Sequence, residues 1–238
     1  MKIALLGYGK MGKTIEALVQ SKFPQHEIVL RANTSLEISS SALSKADVAI
    51  EFSTPTAVLA NVEKCLEAAT PVVIGTTGWY AKKKYLKELC DKKQGACLYG
   101  SNFSIGMQMA FWMNKELAKK MERFGEYNLQ INETHHTEKK DSPSGTAISL
   151  AEDAIWQLNR YDKWVNEESK EESVLPIISK REVGVFGFHE VVYTSTIDEL
   201  KITHNAHSRD GFAFGAIKAA EWLKEKKGFF TIEDFLDF

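Results

Sequence analysis

The sequence predicts an α/β protein in two parts, a parallel sheet flanked by helices followed by a mixed sheet with helices of its own. Three observations carry this expectation. Apolar strand-like runs alternate with helix-like segments from residue 2 to residue 101, the order that right-handed strand–helix–strand crossovers produce. After residue 105 that alternation gives way to strands in near succession. The chain has 238 residues, 44% of them hydrophobic, enough for one large core or two smaller ones without staples.

The first half reads strand by strand. "KIALLG" (2–7) is a buried strand, and "KMGKTIEALVQSK" (10–22) is a helix with Ile15, Leu18 and Val19 on one face. "EIVLRA" (27–32) is a second strand, followed by a serine-rich stretch (33–45) with no clear period. "DVAIEFS" (47–53) is a third, and Pro55 opens a helix running to about Ala69. "TPVVIGTTG" (70–78) and "GACLYGS" (95–101) are the fourth and fifth, separated by a lysine-rich helix from Trp79 to about Lys93. In the second half a long helix begins near Ile105 and leads into the strand "YNLQINETH" (127–135). A polar segment and a helix over about 145–159 follow, then a charged, exposed excursion (160–173). Three strands (176–183, 188–196, 199–206) come next, the last two joined by a tight turn at Ile197-Asp198. A helix (211–227) that returns to the first sheet and a short tail end the sequence.

Composition narrows the function. A formal net charge of −2 argues against nucleic acid as a partner, since binders of it carry a basic excess. The clusters Lys82-Lys83-Lys84 and Lys92-Lys93 read as solvated helix faces. Cys65, Cys90 and Cys97 are odd in number and lack CxxC spacing, so reduced, partly buried thiols in a reducing cytoplasm are expected. The opening residues show no signal-peptide pattern, and no apolar run reaches the roughly 18 residues a membrane span needs.

"GYGKMG" places Gly7, Gly9 and Gly12, with Tyr8, Lys10 and Met11 between them, directly after the first strand and at a helix start. That context makes a dinucleotide-binding loop: glycines permit the turn and the approach of backbone N–H groups to a pyrophosphate, and the helix N-terminus favours its charge. At the end of the second strand, where an acid would bind the ribose 2′-OH of NAD, stands "LRANTS". Arg31 there suits adenine or the 2′-phosphate of NADP, so NADPH and NADH both remain open. Two further strand ends, Gly75-Thr76-Thr77 and Gly100-Ser101-Asn102-Phe103, fall where such sheets bind the nicotinamide end of the cofactor.

"ETHHTEKKDSPSGTA" (133–147) is the most polar run that precedes a helix. Adjacent histidines at a strand end point in opposite directions, and neither HExxH spacing nor a nearby cysteine accompanies them, so no metal site is expected. Instead His135, His136 and Lys139 lead into a Pro-Ser-Gly-Thr helix start whose free N–H groups at Gly145 and Thr146 favour an anion. Of the late basic residues Arg181 and Arg209, Arg209 in "SRDGF" is the better candidate for a substrate or cofactor contact.

These fifteen residues resemble the E-x-H-H-x-x-K-x-D-x-P-S-G-T-A signature of the 4-hydroxy-tetrahydrodipicolinate (dihydrodipicolinate) reductases of lysine and diaminopimelate biosynthesis, with every fixed position present. "GYGKMG", "GTTG", "NFSIGM" and the late stretch from "REVGVFGFHEVVYT" to "SRDGFAFGAIKAA" resemble the same family in order. The resemblance implies a Rossmann-type domain over 1–104 completed by 212–238, and a mixed α/β domain over 105–211 that binds substrate and builds a homotetramer through its sheet. It implies NAD(P)H-dependent reduction of a small cyclic dicarboxylate. His135 then matches a proton donor/acceptor and Lys139 a proton donor, while Lys139, His136, Gly145 and Thr146 match substrate-binding positions. Gly7 to Gly12, Gly75 to Thr77 and Gly100 to Phe103 match the cofactor loops. Two departures stand out: the acidic–basic pair usual at the second strand end is replaced by Leu30-Arg31-Ala32-Asn33, and Tyr99-Gly100 replaces Ala-Pro or Ala-Ala. Another two-domain imine or amino-acid dehydrogenase, or a nucleotide-sensing protein without activity, would explain the glycine loop but not the whole His-His-Lys-Pro-Ser-Gly-Thr set.

Overall fold

The computed structural model describes residues 1–238, apart from the side chain of Ser35. The chain divides into two compact units, one of Met1–Ser104 with Asp210–Phe238, the other of Ile105–Arg209.

The first unit starts with β1 (Lys2–Leu6), α1 (Lys10–Lys22), β2 (Glu27–Ala32) and the short α2 (Ser40–Leu43). It continues with β3 (Val48–Glu51), α3 (Val58–Glu67), β4 (Val72–Ile74), α4 (Lys83–Lys93) and β5 (Ala96–Tyr99). β1, β3, β4 and β5 are buried on both faces, as a covered parallel sheet requires, while the edge strand β2 is half-buried. Ile3 and Leu5 of β1 pack with Ile15, Leu18 and Val19 of α1 on one side. Ala4 and Leu6 point the other way, into a core with Val62, Cys65 and Leu66 of α3 and Leu86 and Cys90 of α4. The three cysteines are free and buried.

The second unit comprises α5 (Ile105–Met121), β6 (Asn128–His135), α6 (Gly145–Gln157), β7 (Lys163–Val165), β8 (Val174–Arg181), β9 (Gly187–Thr194) and β10 (Glu199–Ala206). Its sheet runs β10-β9-β6-β8-β7. β6 pairs antiparallel with β9 but parallel with β8, so the sheet is mixed. Leu129 and Ile131 of β6 meet Leu150, Ala151 and Ala154 of α6 and Met107, Ala110 and Ala118 of α5 in a separate core. The Asn114 amide fastens the two helices by donating to Leu150 O (2.9 Å).

The chain then returns to the first unit as α7 (Asp210–Leu223), β11 (Gly228–Thr231) and α8 (Ile232–Leu236). Ala213, Ala216, Ile217 and Ala220 of α7 lie in the α1 side of the core, small residues that let the helix sit close to the sheet. All pairings of the finished sheet, β11-β5-β4-β3-β1-β2, are parallel. Its strand order reverses beside β1, and the crevice outside the strand ends at such a reversal is where open α/β sheets take ligands.

Several elements differ from the sequence expectation. The stretch read as a short tail contributes a sixth strand, β11, paired with β5, and a helix capped by Thr231 in a reciprocal box with Asp234; four residues are too few to show a period. The excursion over 160–173 contains β7, and Tyr161 within it is buried, its hydroxyl accepting from Leu129 N at 2.9 Å. The serine-rich stretch holds α2, capped by the Ser39 hydroxyl. α3 starts at Val58, after a turn in which Thr54 O accepts from Ala57 N and Val58 N, so Pro55 precedes the helix instead of opening it. The β9–β10 connection spans Ser195–Asp198, closed by Ser195 N donating to Asp198 O (2.9 Å), a four-residue loop in place of a two-residue turn. Among the described residues no helix is long and apolar enough to cross a membrane.

Candidate active site

The glycine loop of the first unit is built by a steric demand. Gly7 has φ of 94°, and a Cβ there would lie 2.1 Å from Phe52 O, so β1 and the end of β3 approach as only glycine allows. Gly9 is the residue before α1, Gly12 is buried in its first turn, and Lys10 is exposed. Met11 packs against the α1 side of the core, so it contributes its backbone to the loop and its side chain to the core.

Arg31 is held by Glu16 of α1, its Nε donating to Oε1 at 2.8 Å and its Nη2 to the same oxygen. The Tyr8 hydroxyl donates to the other oxygen of Glu16. Arg31 first and Tyr8 second hold the Glu16 carboxyl below its ordinary range. Tyr8 and Arg31, named separately from the sequence, therefore meet through a glutamate the sequence did not single out. At the end of β2 no acid follows in sequence, yet Glu37 folds back so that Asn33 N donates to its Oε2 at 2.6 Å. A carboxylate thus stands at the strand end after all, supplied four residues late.

The remaining residues expected to line a cofactor divide by exposure. Thr76 is buried, its hydroxyl accepting from Ser53 N (2.8 Å) and its carbonyl from Trp79 Nε1 (2.7 Å), so it ties the loops after β3 and β4 together. Gly75 N donates to Glu51 O (2.8 Å) and Gly100 N to Ile74 O (3.2 Å), extending the sheet ladder. Asn102 Oδ1 accepts from Ser104 N (2.8 Å), an Asx turn. Phe103 is buried edge-on to Phe52. Thr77 and Ser101 are the exposed members of these loops.

In the second unit β6 sets the site. Its alternation puts Leu129, Ile131, Glu133 and His135 on the buried side, so the apolar face continues as an acid and a histidine. Register places Glu133 between His189 of β9 and Ser179 of β8, and His135 beside Arg181. The His135 Nδ1 and Glu133 Oε2 form a hydrogen bond. Glu133 Oε1 accepts from Arg181 Nη1 (3.0 Å) and from Ser144 N (3.3 Å). Burial by itself would raise the Glu133 carboxyl, but hydrogen bonds from His135, Ser179 and Arg181 hold it at about 2. It is a carboxylate with no exposed surface.

Arg181 also reaches the loop. Its Nη2 donates to Asp141 O (2.6 Å) and its Nε to Lys139 O (3.4 Å), stapling the turn that carries Lys139. Lys139 Nζ donates to Asp141 Oδ2 at 2.6 Å. Ser144 caps α6, its hydroxyl accepting from Ala147 N (3.2 Å) and meeting His189 Nε2 at 3.1 Å. The His189 ring stands edge-on to His135 with centroids 5.0 Å apart. Burial, and then the neighbouring His135, push His189 down to about 3, so it is neutral. Gly145 and Thr146 open α6 with their N–H groups toward its solvated end. His136 lies just past β6, its Nε2 3.5 Å from Arg209 Nη2.

The structure thus gathers His135, Lys139 and the α6 start around one strand end, and sets His136 with Arg209 beside it. Glu133 and His189 are the members that the sequence left without a role, while Arg181, the weaker of the two late basic candidates for a ligand contact, pairs with Glu133, and Ser144 of the helix start also meets His189. Glu133, His135 and His189 place ligand atoms within 4.8 Å of one another, a spacing a metal ion could use. The Arg181 guanidinium already occupies one oxygen of Glu133, which favours a hydrogen-bonded proton site over a cation site.

Comparison with known proteins divides the chain near the first boundary between the units, although the C-terminal match also runs on through α7, β11 and α8 of the first unit. The N-terminal model of dihydrodipicolinate reductase matches residues 1–103 and the C-terminal model residues 106–236. A 4-hydroxy-tetrahydrodipicolinate reductase of Christiangramia forsetii is 46% identical over 236 residues, 99% of this chain and 98% of that protein. One from Bdellovibrio bacteriovorus is 34% identical over 99% of this chain and 96% of its own length. The fold is shared with the dipicolinate-bound dihydrodipicolinate reductase of Paenisporosarcina sp. TG-14, with a TM-score of 0.77 at 23% identity over 98% of each chain. The two family models together span nearly the whole chain and these relatives match it end to end, so the chain belongs to the dihydrodipicolinate reductase family.

Proposed function

We infer that the protein is an NAD(P)H-dependent oxidoreductase that reduces 4-hydroxy-tetrahydrodipicolinate to tetrahydrodipicolinate, with release of water, in the diaminopimelate route to lysine. The observation that carries the reading is the pairing of the Gly7 loop, which only glycine fits, with a strand end where His135, Lys139 and the α6 N-terminus converge.

Backbone N–H groups at Gly9 to Gly12 and the start of α1 suit the pyrophosphate of a dinucleotide, and exposed Thr77 and Ser101 suit its nicotinamide end. When bound, NADH or NADPH supplies the hydride. The chain's own residues do the rest. The free N–H groups of Gly145 and Thr146 bind one substrate carboxylate, and His136 with Lys139 takes the other. Lys139 exchanges Asp141 for that carboxylate, an exposed pairing of small net value. His135 hands over or recovers the proton that balances hydride arrival.

Arg31 and Glu37 set the cofactor preference on this reading. A guanidinium already shared with Glu16 and a carboxylate at the β2 end favour the ribose 2′-OH of NADH over a 2′-phosphate. The residues 105–211 then form the substrate and oligomerisation domain. The family's homotetramer is supported by the exposed Ile197 and Leu200 at the β9–β10 end of the mixed sheet, and light scattering at assay concentration tests it. A reducing cytoplasm suits the three free thiols.

The test generates the substrate in place with the preceding synthase and follows NADH and NADPH oxidation separately at constant synthase. Turnover with both, faster with NADH, is expected. No oxidation with either cofactor would remove the assignment.

A further inference from the structure

The strongest feature that the proposed activity leaves unused is the buried acid two residues before His135. We propose that Glu133 is a positioning residue that fixes the tautomer and orientation of His135, so that Nε2 alone exchanges the proton and Nδ1 stays bonded to Glu133. This inference rests on the reductase reading above.

Four observations support it. The Glu133 carboxylate is fully buried, and the His135 Nδ1 lies against its Oε2. A carboxylate without a proton only accepts, so Nδ1 must carry the hydrogen. The second oxygen of Glu133 is fixed from two directions, by Arg181 Nη1 at 3.0 Å and Ser144 N at 3.3 Å, so the acid cannot swing away with the ring. On the other side of the imidazole the wall is a glycine: a Cβ on Gly187 would stand 3.2 Å from His135 Nε2. Gly187 places no side chain over that nitrogen, while the ring meets His189 at a steep angle.

The proton count is simple. An imidazolium at His135 releases the hydrogen on Nε2 to the substrate and remains as the neutral Nδ1–H form, still bonded to Glu133. Proton return from solvent to Nε2 restores it. The titratable and charged groups facing the pair are Arg181 from β8, His189 from β9 with His204 behind it from β10, and Lys139 and Asp141 from the loop. Arg181 and Lys139 are cations, and the neutral His189 brings no charge. Glu133 is therefore the one carboxylate that touches the ring, and it is what keeps an imidazolium tolerable there.

The experiment compares wild type with Glu133→Gln in three readouts: kcat and KM, the pH profile of kcat/KM, and the imidazole nitrogen NMR of His135 assigned by its absence in His135→Gln. Glu133→Gln is expected to lower kcat about ten- to a hundred-fold with KM for the dinucleotide nearly unchanged. The limb of the profile that belongs to His135 should move to lower pH by about one unit, because the imidazolium loses its carboxylate. In wild type the neutral ring should show the Nδ1–H form, and in Glu133→Gln a mixture of tautomers. An unmoved pH limb in a folded Glu133→Gln, or a wild-type His135 carrying its hydrogen on Nε2, would overturn the proposal. If Glu133→Gln does not fold, the wild-type tautomer decides by itself. If wild type lacks turnover the reductase reading fails, while the tautomer still tests the Glu133–His135 pair.

Discussion

Two glutamates, one in each unit, are buried to the same extent and treated in opposite ways. Glu51 closes β3 beside the Gly7 and Gly75 loops, and Glu133 lies near the end of β6 beside His135; neither has exposed surface. Around Glu51 the partners are neutral: Ser53 Oγ and Asn61 Nδ2 meet Oε1, and Oε2 is buried without a hydrogen-bond partner. Burial therefore pushes its carboxyl up despite those contacts. Around Glu133 stand a guanidinium, an imidazole and a backbone N–H, and its carboxyl falls to about 2. The carboxyl of a buried acid is pushed up or held down according to its neighbours, not its depth alone. The contrast suits the two tasks. On the proposed function, the first unit needs only a rigid floor under its backbone N–H groups, while the second needs a fixed charge to hold the ring that would exchange the proton.

Among substitutions read by stability, the largest effect expected from breaking this contrast comes from Arg181→Met. It leaves the Glu133 carboxylate with one cationic partner fewer and releases the Lys139 turn. Removing one member of a buried ion pair costs about 3–5 kcal/mol, and the partial exposure of Arg181 (21%) brings the expectation down to about 2 kcal/mol. Denaturant unfolding measures that loss, and kcat should fall more than KM for the dinucleotide rises. Stability near that of wild type with full activity would mean Arg181 is ornamental.

Acid should separate the two glutamates next. Glu133 titrates below its ordinary value of 4.5 in the fold, so its contribution is complete above pH 4.5 and is lost as pH falls toward 2. Its depression corresponds to roughly 3 kcal/mol. His189, depressed from 6.5 to about 3, acts in the same direction, its contribution declining as pH drops below 6.5 because the unfolded ring takes up the proton. Glu51, raised in the fold, has the opposite sign: its contribution is complete below 4.5 and is lost as pH rises through its raised value. Melting temperature against pH should therefore fall on the acid side in wild type and fall less steeply in His189→Gln. Parallel curves for the two proteins would contradict the assignment.

The smallest effect belongs to Glu51→Gln. An uncharged amide of the same shape replaces a carboxyl that burial already pushes up, so stability at neutral pH should hold or rise by up to about 1 kcal/mol, and kcat should stay within about twofold. A loss as large as that of Glu133→Gln would erase the distinction between the units.

The amino-acid sequence makes part of this arrangement legible. "GYGKMG" after an apolar strand identifies the loop because the demand at Gly7 is local, a turn against the next strand. The polar face of β6 can also be read: in "NLQINETH" the alternation Leu129, Ile131 runs on into Glu133 and His135, so a charged pair on a core face announces a site. Arg181 and His189 carry no local signal; they reach Glu133 only through the parallel register with β8 and the antiparallel register with β9, facts of sheet pairing that no short window contains. β11 escapes for the same reason, since four residues become a strand only because β5 offers them an edge. Glu37 is missed because its carboxylate folds back to Asn33 N across a turn, whereas the expected acid is sought directly after the strand.

The most direct test of the account is the initial rate of NADH oxidation on enzymatically generated 4-hydroxy-tetrahydrodipicolinate, measured for wild type and His135→Gln at saturating dinucleotide. The account predicts rapid, synthase-dependent oxidation by wild type and a rate at least about a hundred-fold lower for His135→Gln, with NADH affinity preserved. Equal rates for the two proteins would contradict it.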